Sequence, residues 1–407
     1  MNLQRISFFS ILSHIFVIVM ICSITIFSTY TWGRYVLVGC MAMIMLCDFL
    51  QQGANYKLCA SSYFAFIIVF ALYTAASALW AINSSAAIEK AQTLFEIILM
   101  IFVMYNHYSL KEESTKDILL DIKIACFAIV IYSLLFYGIE QLMLLASAEE
   151  RLGNDFANVN TIAIMAAIGI IIELDSIIAN KRLALMSLLC IPAMLLVAVT
   201  QSRKALIMVG MGLALILWQR SIYSKKNVAK SLLKLILYVL IGVVVIRSVL
   251  SLPVFSGVLE RMELWINSVT GEGKVDSSTI VRNNLIEIGF EAFLQKPILG
   301  VGIGSSNELA KAYFNMDCYL HNNFVELLAS GGILGFFVYY SMYIYLIAKF
   351  WRYKNDKNSE YIVCLTLMLV LLTMDYGRVS YYAKTQYIFL LAMFLETDAL
   401  KNKLKNN

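Results

Sequence analysis

Apolar runs of about 17–20 residues recur from the N-terminus to residue 396, each long enough to cross the roughly 30 Å hydrocarbon core of a bilayer. Lipid offers no water to satisfy backbone N–H and C=O groups, so these runs are expected to be helices. Composition agrees. The chain is 60% hydrophobic and 14% charged, where a soluble domain carries about 25% charge, and its mean hydropathy is +0.76. The expected fold class is all-α, a polytopic membrane protein of about twelve spans. The first lies near 8–30, the ninth near 233–250, the tenth near 332–348 and the last near 384–397. The first run is long for a signal-peptide core, and no small-residue cleavage site follows it.

This pattern divides the chain into three segments: 1–250 with nine spans, a polar loop over 251–331, and 332–407 with three spans and a tail. Basic residues set the orientation. Lys111, Lys123, Lys181, Arg220 and Lys349 fall in alternate loops, and cytoplasmic loops carry the excess of Lys and Arg. Both termini are therefore expected in the cytoplasm and the 251–331 loop on the outer face. The net charge of +5 comes largely from such loops. It is a topology signal, and no nucleic-acid partner is expected. The eight cysteines, among them Cys22, Cys40 and Cys190 in apolar runs, read as small buried hydrophobes rather than a disulfide scaffold.

The polar loop is the exception to all this apolarity. It predicts a helix over about 279–295, ended by the Pro297–Gly300 region, with apolar Ile280, Leu285, Ile288, Phe290 and Phe293. That element either lies amphipathically at the membrane surface or packs on the bundle as an ordinary loop helix. Four arginines are expected on the outer face: Arg151, Arg203, Arg261 and Arg282. Guanidinium groups donate forked hydrogen bonds that suit phosphate oxygens, so together they resemble a receptor for an anion at headgroup depth. Singly, Arg203 could snorkel and Arg282 could be solvated. His321, one of three histidines, could accept a proton from an attacking hydroxyl, and nearby arginines would hold it neutral. It could also be a polar residue at a helix entry.

Around these lie Asn322 and Asn323, candidates to orient a sugar hydroxyl or the imidazole, Glu326, which could orient the acceptor or pair with an arginine, and Asp155, which could bind a sugar hydroxyl, balance an arginine or face water. His14 and His107 lie at apolar or membrane-edge positions and read as structural. Gly300, Gly302, Gly304, Gly332 and Gly335 permit tight turns or close approach. KPILGVGIG lacks the βαβ context of a dinucleotide site.

These residues carry a resemblance. His321–Asn322, nine intervening residues, Gly332 and Gly335 are similar to the histidine motif of the bacterial O-antigen ligase and polysaccharide polymerase superfamily. Ser202–Arg203 resembles its SR element, and Arg282 with KPILGVGIG resembles its outer-loop arginine and glycine segment. The resemblance implies a GT-C-like helical bundle with short helices in the outer loop. It implies a donor glycan on undecaprenyl diphosphate, with Arg203 and Arg282 on the diphosphate and His321 activating the acceptor. It implies neither a cofactor nor a metal. Lipid-linked oligosaccharide and membrane lipids are the expected partners, with a flippase and a chain-length regulator as further candidates. The loop is moderate and holds no separate acceptor domain, so polymerase is the first expectation and ligase the second. A transporter is the third, although its site should lie near mid-membrane.

Overall fold

Polar side chains start several of the helices. Ser61, Asn83, Asn322 and Asn358 each accept a hydrogen bond from a backbone N–H two or three residues on, satisfying donors that the first turn leaves open. The computed structural model describes residues 8–27, 30–53, 58–138, 157–180, 184–223, 256–270, 277–355 and 358–406, with scattered positions at 140–141 and between 233 and 251.

The chain is all-α. Helices α1 (Phe8–Ile26) and α2 (Trp32–Gln52) pack together, followed by α3 (Ser62–Ser77), α4 (Ser84–Ser109) and α5 (Ser114–Tyr137). Next come α6 (Val159–Asn180), α7 (Cys190–Val199) behind a 3-10 turn, and α8 (Arg203–Tyr223). The loop region holds α9 (Ser256–Thr270), α10 (Ser277–Gln295) and α11 (Ser306–Phe314). The chain closes with α12 (Asn323–Arg352), α13 (Ser359–Met374) and α14 (Lys384–Asn406).

Among the described residues, five helices are long and apolar enough to cross a membrane: α1, α2, α5, α6 and α12. Shorter apolar helices occupy Ser62–Ser77, Leu185–Val199 and Ser359–Met374. Length and composition therefore support a multi-pass membrane protein but not the full expected count of twelve. Helix α4 carries Glu89, Lys90 and Glu96, and α8 carries Arg203, Lys204 and Arg220. The expected ninth span at 233–250 lies outside the continuously described residues.

Helix α6 is apolar all round and buried from Ile162 to Ile172, as befits a helix surrounded by others. Its two ends are polar in different ways. At its C-terminal end Glu173 accepts from Lys123 Nζ at 2.7 Å, and Asp175 accepts from Arg220 at 2.7 and 2.9 Å. Its N-terminal end presents Asn158 and Asn160 to a cavity. A rise of 1.5 Å per residue separates Asn160 from Asp175 by about 22 Å, so the paired basic residues and the cavity sit at opposite ends of the bundle.

The loop region builds a small core of its own. Leu285, Ile288 and Ala292 of α10 bury against Val301, Leu320 and Ala329. Outside lipid, each large side chain so buried contributes roughly 1.5–3 kcal/mol. The loop helix thus packs on the bundle, while Ile280 and Phe290, on its other face, are exposed.

Gly332 breaks α12 with φ +60° and ψ −169°. The break frees backbone groups, and the 297–302 strand of chain takes them up. Val301 and Gly302 N–H donate to the Ala329 and Ser330 carbonyls at 2.9 and 2.8 Å, and Ile333 N–H donates to Pro297 at 2.8 Å. The approach is so close that a Cβ on Gly332 would lie 2.3 Å from the Ile298 carbonyl oxygen, and one on Gly300 2.5 Å from that of Ser330. Gly302 and Gly304 also have positive φ, and Gly335 faces the Tyr73 ring.

Candidate functional site

His321 sits at the turn into α12, half-buried, with φ +58°. A non-glycine residue in the left-handed region costs on the order of 1–2 kcal/mol. Its neighbours hold it there. The Asn322 side chain caps α12, accepting from Phe324 and Val325 N–H at 3.0 and 3.2 Å. Before it, Leu320 N–H donates to Glu326 Oε2 at 3.0 Å, and the Ser306 hydroxyl donates to Glu326 Oε1. After it, Asn323 N–H donates to the Asp375 carbonyl at 2.7 Å. The Asn323 side-chain oxygen accepts from Ser380 and Tyr381 N–H at 2.9 and 3.1 Å, latching α12 to the α13–α14 link. Asn322, Asn323 and Glu326, singled out as substrate-binding candidates, are thus buried in contacts that shape the histidine turn.

The electrostatics keep this imidazole neutral. Burial, then the Arg282 guanidinium, then the Lys204 ammonium push the His321 pKa down to about 4. The Tyr319 ring lies against it, 4.3 Å between centroids.

The cations converge from two helices. Gln201, another non-glycine residue with positive φ, turns the chain sharply between α7 and α8. Arg203 and Lys204 follow in the first turn of α8. Arg203 donates to Ser278 Oγ of α10 at 3.4 Å. Arg282 stands one turn further along the same helix, four residues on, and its charge reaches His321. Arg203 is thus tied to α10 beside Arg282. Lys204 Nζ donates to the Gly377 carbonyl, fixing α8 to the α13–α14 link. Arg151 and Asp155 lie outside the described residues, and so does the side chain of Arg261 on α9.

Beside Tyr319 and Lys204 is a cavity of about 420 Å³. Its lining includes Arg34 of α2, Glu96 of α4, Asn160 of α6, Arg378 of the α13–α14 link and Lys384 at the start of α14. Glu96 accepts from Lys384 at 2.8 Å and lies 3.8 Å from the Arg34 Nε. Arg34, Glu96 and Lys384 are not among the residues that the sequence singles out. The one signal available was Arg34 as a cation in the short TWGR turn. Among the described residues, no three His, Cys, Asp or Glu side chains gather as a metal site.

Residues 186–340 match the O-antigen ligase family, Wzy_C. The segment spans α7 to the middle of α12 and contains Arg203, Arg282, His321 and the five glycines. The match supports a relationship to the O-antigen ligase and polysaccharide polymerase superfamily over this segment. No curated protein matches the chain.

Among the described residues, the matched segment supplies only Lys204 and Tyr319 to the cavity lining. The rest of the wall comes from helices before and after it. The histidine–arginine cluster of the matched segment therefore adjoins the cavity through Tyr319 and Lys204, and the far wall of Arg34, Glu96, Arg378 and Lys384 lies outside that segment.

Proposed function

We propose that this membrane enzyme transfers a glycan from an undecaprenyl-diphosphate carrier to a hydroxyl acceptor at the outer face of the cytoplasmic membrane. The observation that carries the reading is His321, half-buried and held neutral with Arg282 and Lys204 near it, its ring against Tyr319, which with Lys204 lines a polar cavity. The family match supports the same class. In this reading the chain is a GT-C-like bundle of about twelve spans with both termini cytoplasmic.

The chemistry is a displacement at the anomeric carbon. The acceptor oxygen bonds to that carbon as the bond to the diphosphate oxygen breaks, and the electron pair leaves with the carrier. Arg203 and Arg282 hold the diphosphate and stabilise charge as it departs. His321 takes the acceptor proton on a ring nitrogen. An imidazole with a pKa near 4 is a weak base. The arriving diphosphate offsets Arg282 and Lys204 and makes His321 more basic when a base is needed. The side-chain cations carry the electrostatic work in this scheme, without a metal or cofactor.

The matched family's description names the ligase, so the first reading of the acceptor is a lipid A core or another terminal acceptor. Polymerase is the second, supported by the moderate 251–331 loop without a separate acceptor domain. A flippase and a chain-length regulator are its proposed partners. The test is the full chain in liposomes with lipid-diphosphate glycan, with and without lipid A core. Product on the core supports ligase. Longer lipid-linked chains without the core support polymerase. Vectorial movement of the glycan with no product on either acceptor would overturn both in favour of transport.

A further inference from the structure

We propose that the cavity between the α1–α2 turn and the α13–α14 link is a subsite for an acidic sugar, whose carboxylate is read by Arg34, Arg378 and Lys384. The inference rests on the glycan-transfer reading and names the sugar class that the site accepts.

Size and lining point to a sugar. A volume of about 420 Å³ falls in the range of about 300–1,000 Å³ typical of small-ligand sites. Asn158 and Asn160 offer amides, and Tyr319 and Tyr382 offer ring faces with hydroxyl tips. The Lys90 ammonium sits 3.9 Å from the centroid of the Tyr382 ring, which orients that platform.

Charge points to an acid. Four lining cations, Arg34, Lys204, Arg378 and Lys384, face one lining carboxylate, Glu96. Asp375 is buried behind Arg378 and offsets part of its charge, while its carboxylate accepts from Ser380 at 2.6 Å and Tyr340 at 3.1 Å. Positive charge remains in excess. Arg378 donates through one terminal nitrogen to Gln386. Among the described residues its buried Nε has no hydrogen-bond partner. A buried donor left so costs about 1–3 kcal/mol, more when charged, and a carboxylate is the forked acceptor that suits it.

Position separates this cluster from the diphosphate. Arg203 and Arg282 approach from α8 and α10, whereas Arg34 and Lys384 stand on α2 and α14, held by their shared partner Glu96. A carrier diphosphate on the first pair leaves the far wall to the glycan.

The experiment measures binding, not turnover, so it is independent of whether the transfer assay succeeds. The full chain in detergent is titrated with a glucuronate-containing disaccharide, the matched neutral disaccharide and farnesyl diphosphate. The expected result is about tenfold tighter binding of the acidic disaccharide than the neutral one. Arg34→Gln with Lys384→Gln should abolish that preference and leave farnesyl diphosphate binding intact. Glu96→Gln, which frees both cations from their carboxylate, should retain the preference. Equal affinity for the two disaccharides, or binding of neither, overturns the proposal. Loss of farnesyl diphosphate binding in the double variant also overturns it and makes the cavity a diphosphate site.

Discussion

Leu320 and Glu326 are joined across the histidine turn: the Leu320 N–H donates to Glu326 Oε2 at 3.0 Å, and so the residue before His321 is fixed by the helix that follows it. The Ser306 hydroxyl fills the other carboxylate oxygen from α11. Glu326 is a positioning residue in this geometry. Glu326→Gln keeps the shape but replaces one accepting oxygen with a donor. The variant should lose about 1–3 kcal/mol of stability. Its kcat should fall roughly 10–100-fold through misplacement of His321, with KM for donor little changed. An unchanged kcat, or a loss confined to KM, would remove Glu326 from this role.

His321 combines an uncommon backbone with the proposed chemistry, and the two can be separated. Asparagine tolerates the left-handed region better than most residues, so His321→Asn should fold as well as the parent. Transfer should drop by about 10²–10⁴-fold, the usual range for a lost acid–base group. Thermal unfolding in detergent and single-turnover transfer read the two effects independently. Retained transfer would leave His321 a merely structural helix entry.

Much of this side of the site was legible in sequence because its signals are local. A histidine in a polar break, an arginine at the start of a span and a Pro–Gly run need no knowledge of packing. Even here the amide roles stayed open: nothing in Asn322–Asn323 distinguishes side chains that face a substrate from those that cap α12 and latch the α13–α14 link. The far wall was not legible. Arg34, Glu96 and Lys384 are brought together only by helix packing, and each alone resembles an ordinary boundary charge. The span count differs for another reason: α3 and α13 are apolar but only 16 residues long, and the expected ninth span lies largely outside the described residues.

The depressed pKa of His321 gives a pH signature. With a folded value near 4 and an unfolded value near 6.5, the unfolded chain binds more protons between those limits. Stability from this group is therefore complete above pH 6.5 and declines as pH falls toward 4. NMR of labelled histidine, assigned by the resonance lost in His321→Asn, should show a midpoint near 4. Farnesyl diphosphate should move it upward by offsetting Arg282 and Lys204. Lys204→Met should raise it without ligand. A midpoint near 6.5 in the free protein, or no movement on adding diphosphate, would contradict the proposed activation of the base.

The broken helix α12 offers the last test. Gly332 has φ +60°, and a Cβ there would meet the Ile298 carbonyl oxygen at 2.3 Å, inside the hydrogen-bonded insertion of residues 297–302. With ψ −169° this is a backbone region almost confined to glycine, so Gly332→Ala incurs about 1–3 kcal/mol for its backbone alone, and the overlap with main chain adds to it because no side chain can rotate away. The strand would be pushed out, leaving the Ala329 and Ser330 carbonyls without the Val301 and Gly302 donors. The same strand carries the chain from α10 with Arg282 back toward α12 with His321, so its displacement should separate them. Gly332→Ala should lower the unfolding temperature and release the His321 pKa upward as Arg282 recedes. Gly210→Ala, where an added Cβ meets nothing within 4 Å, is the control that should change neither. A Gly332→Ala protein with parental stability and an unmoved histidine midpoint would show that the insertion does not hold the site together.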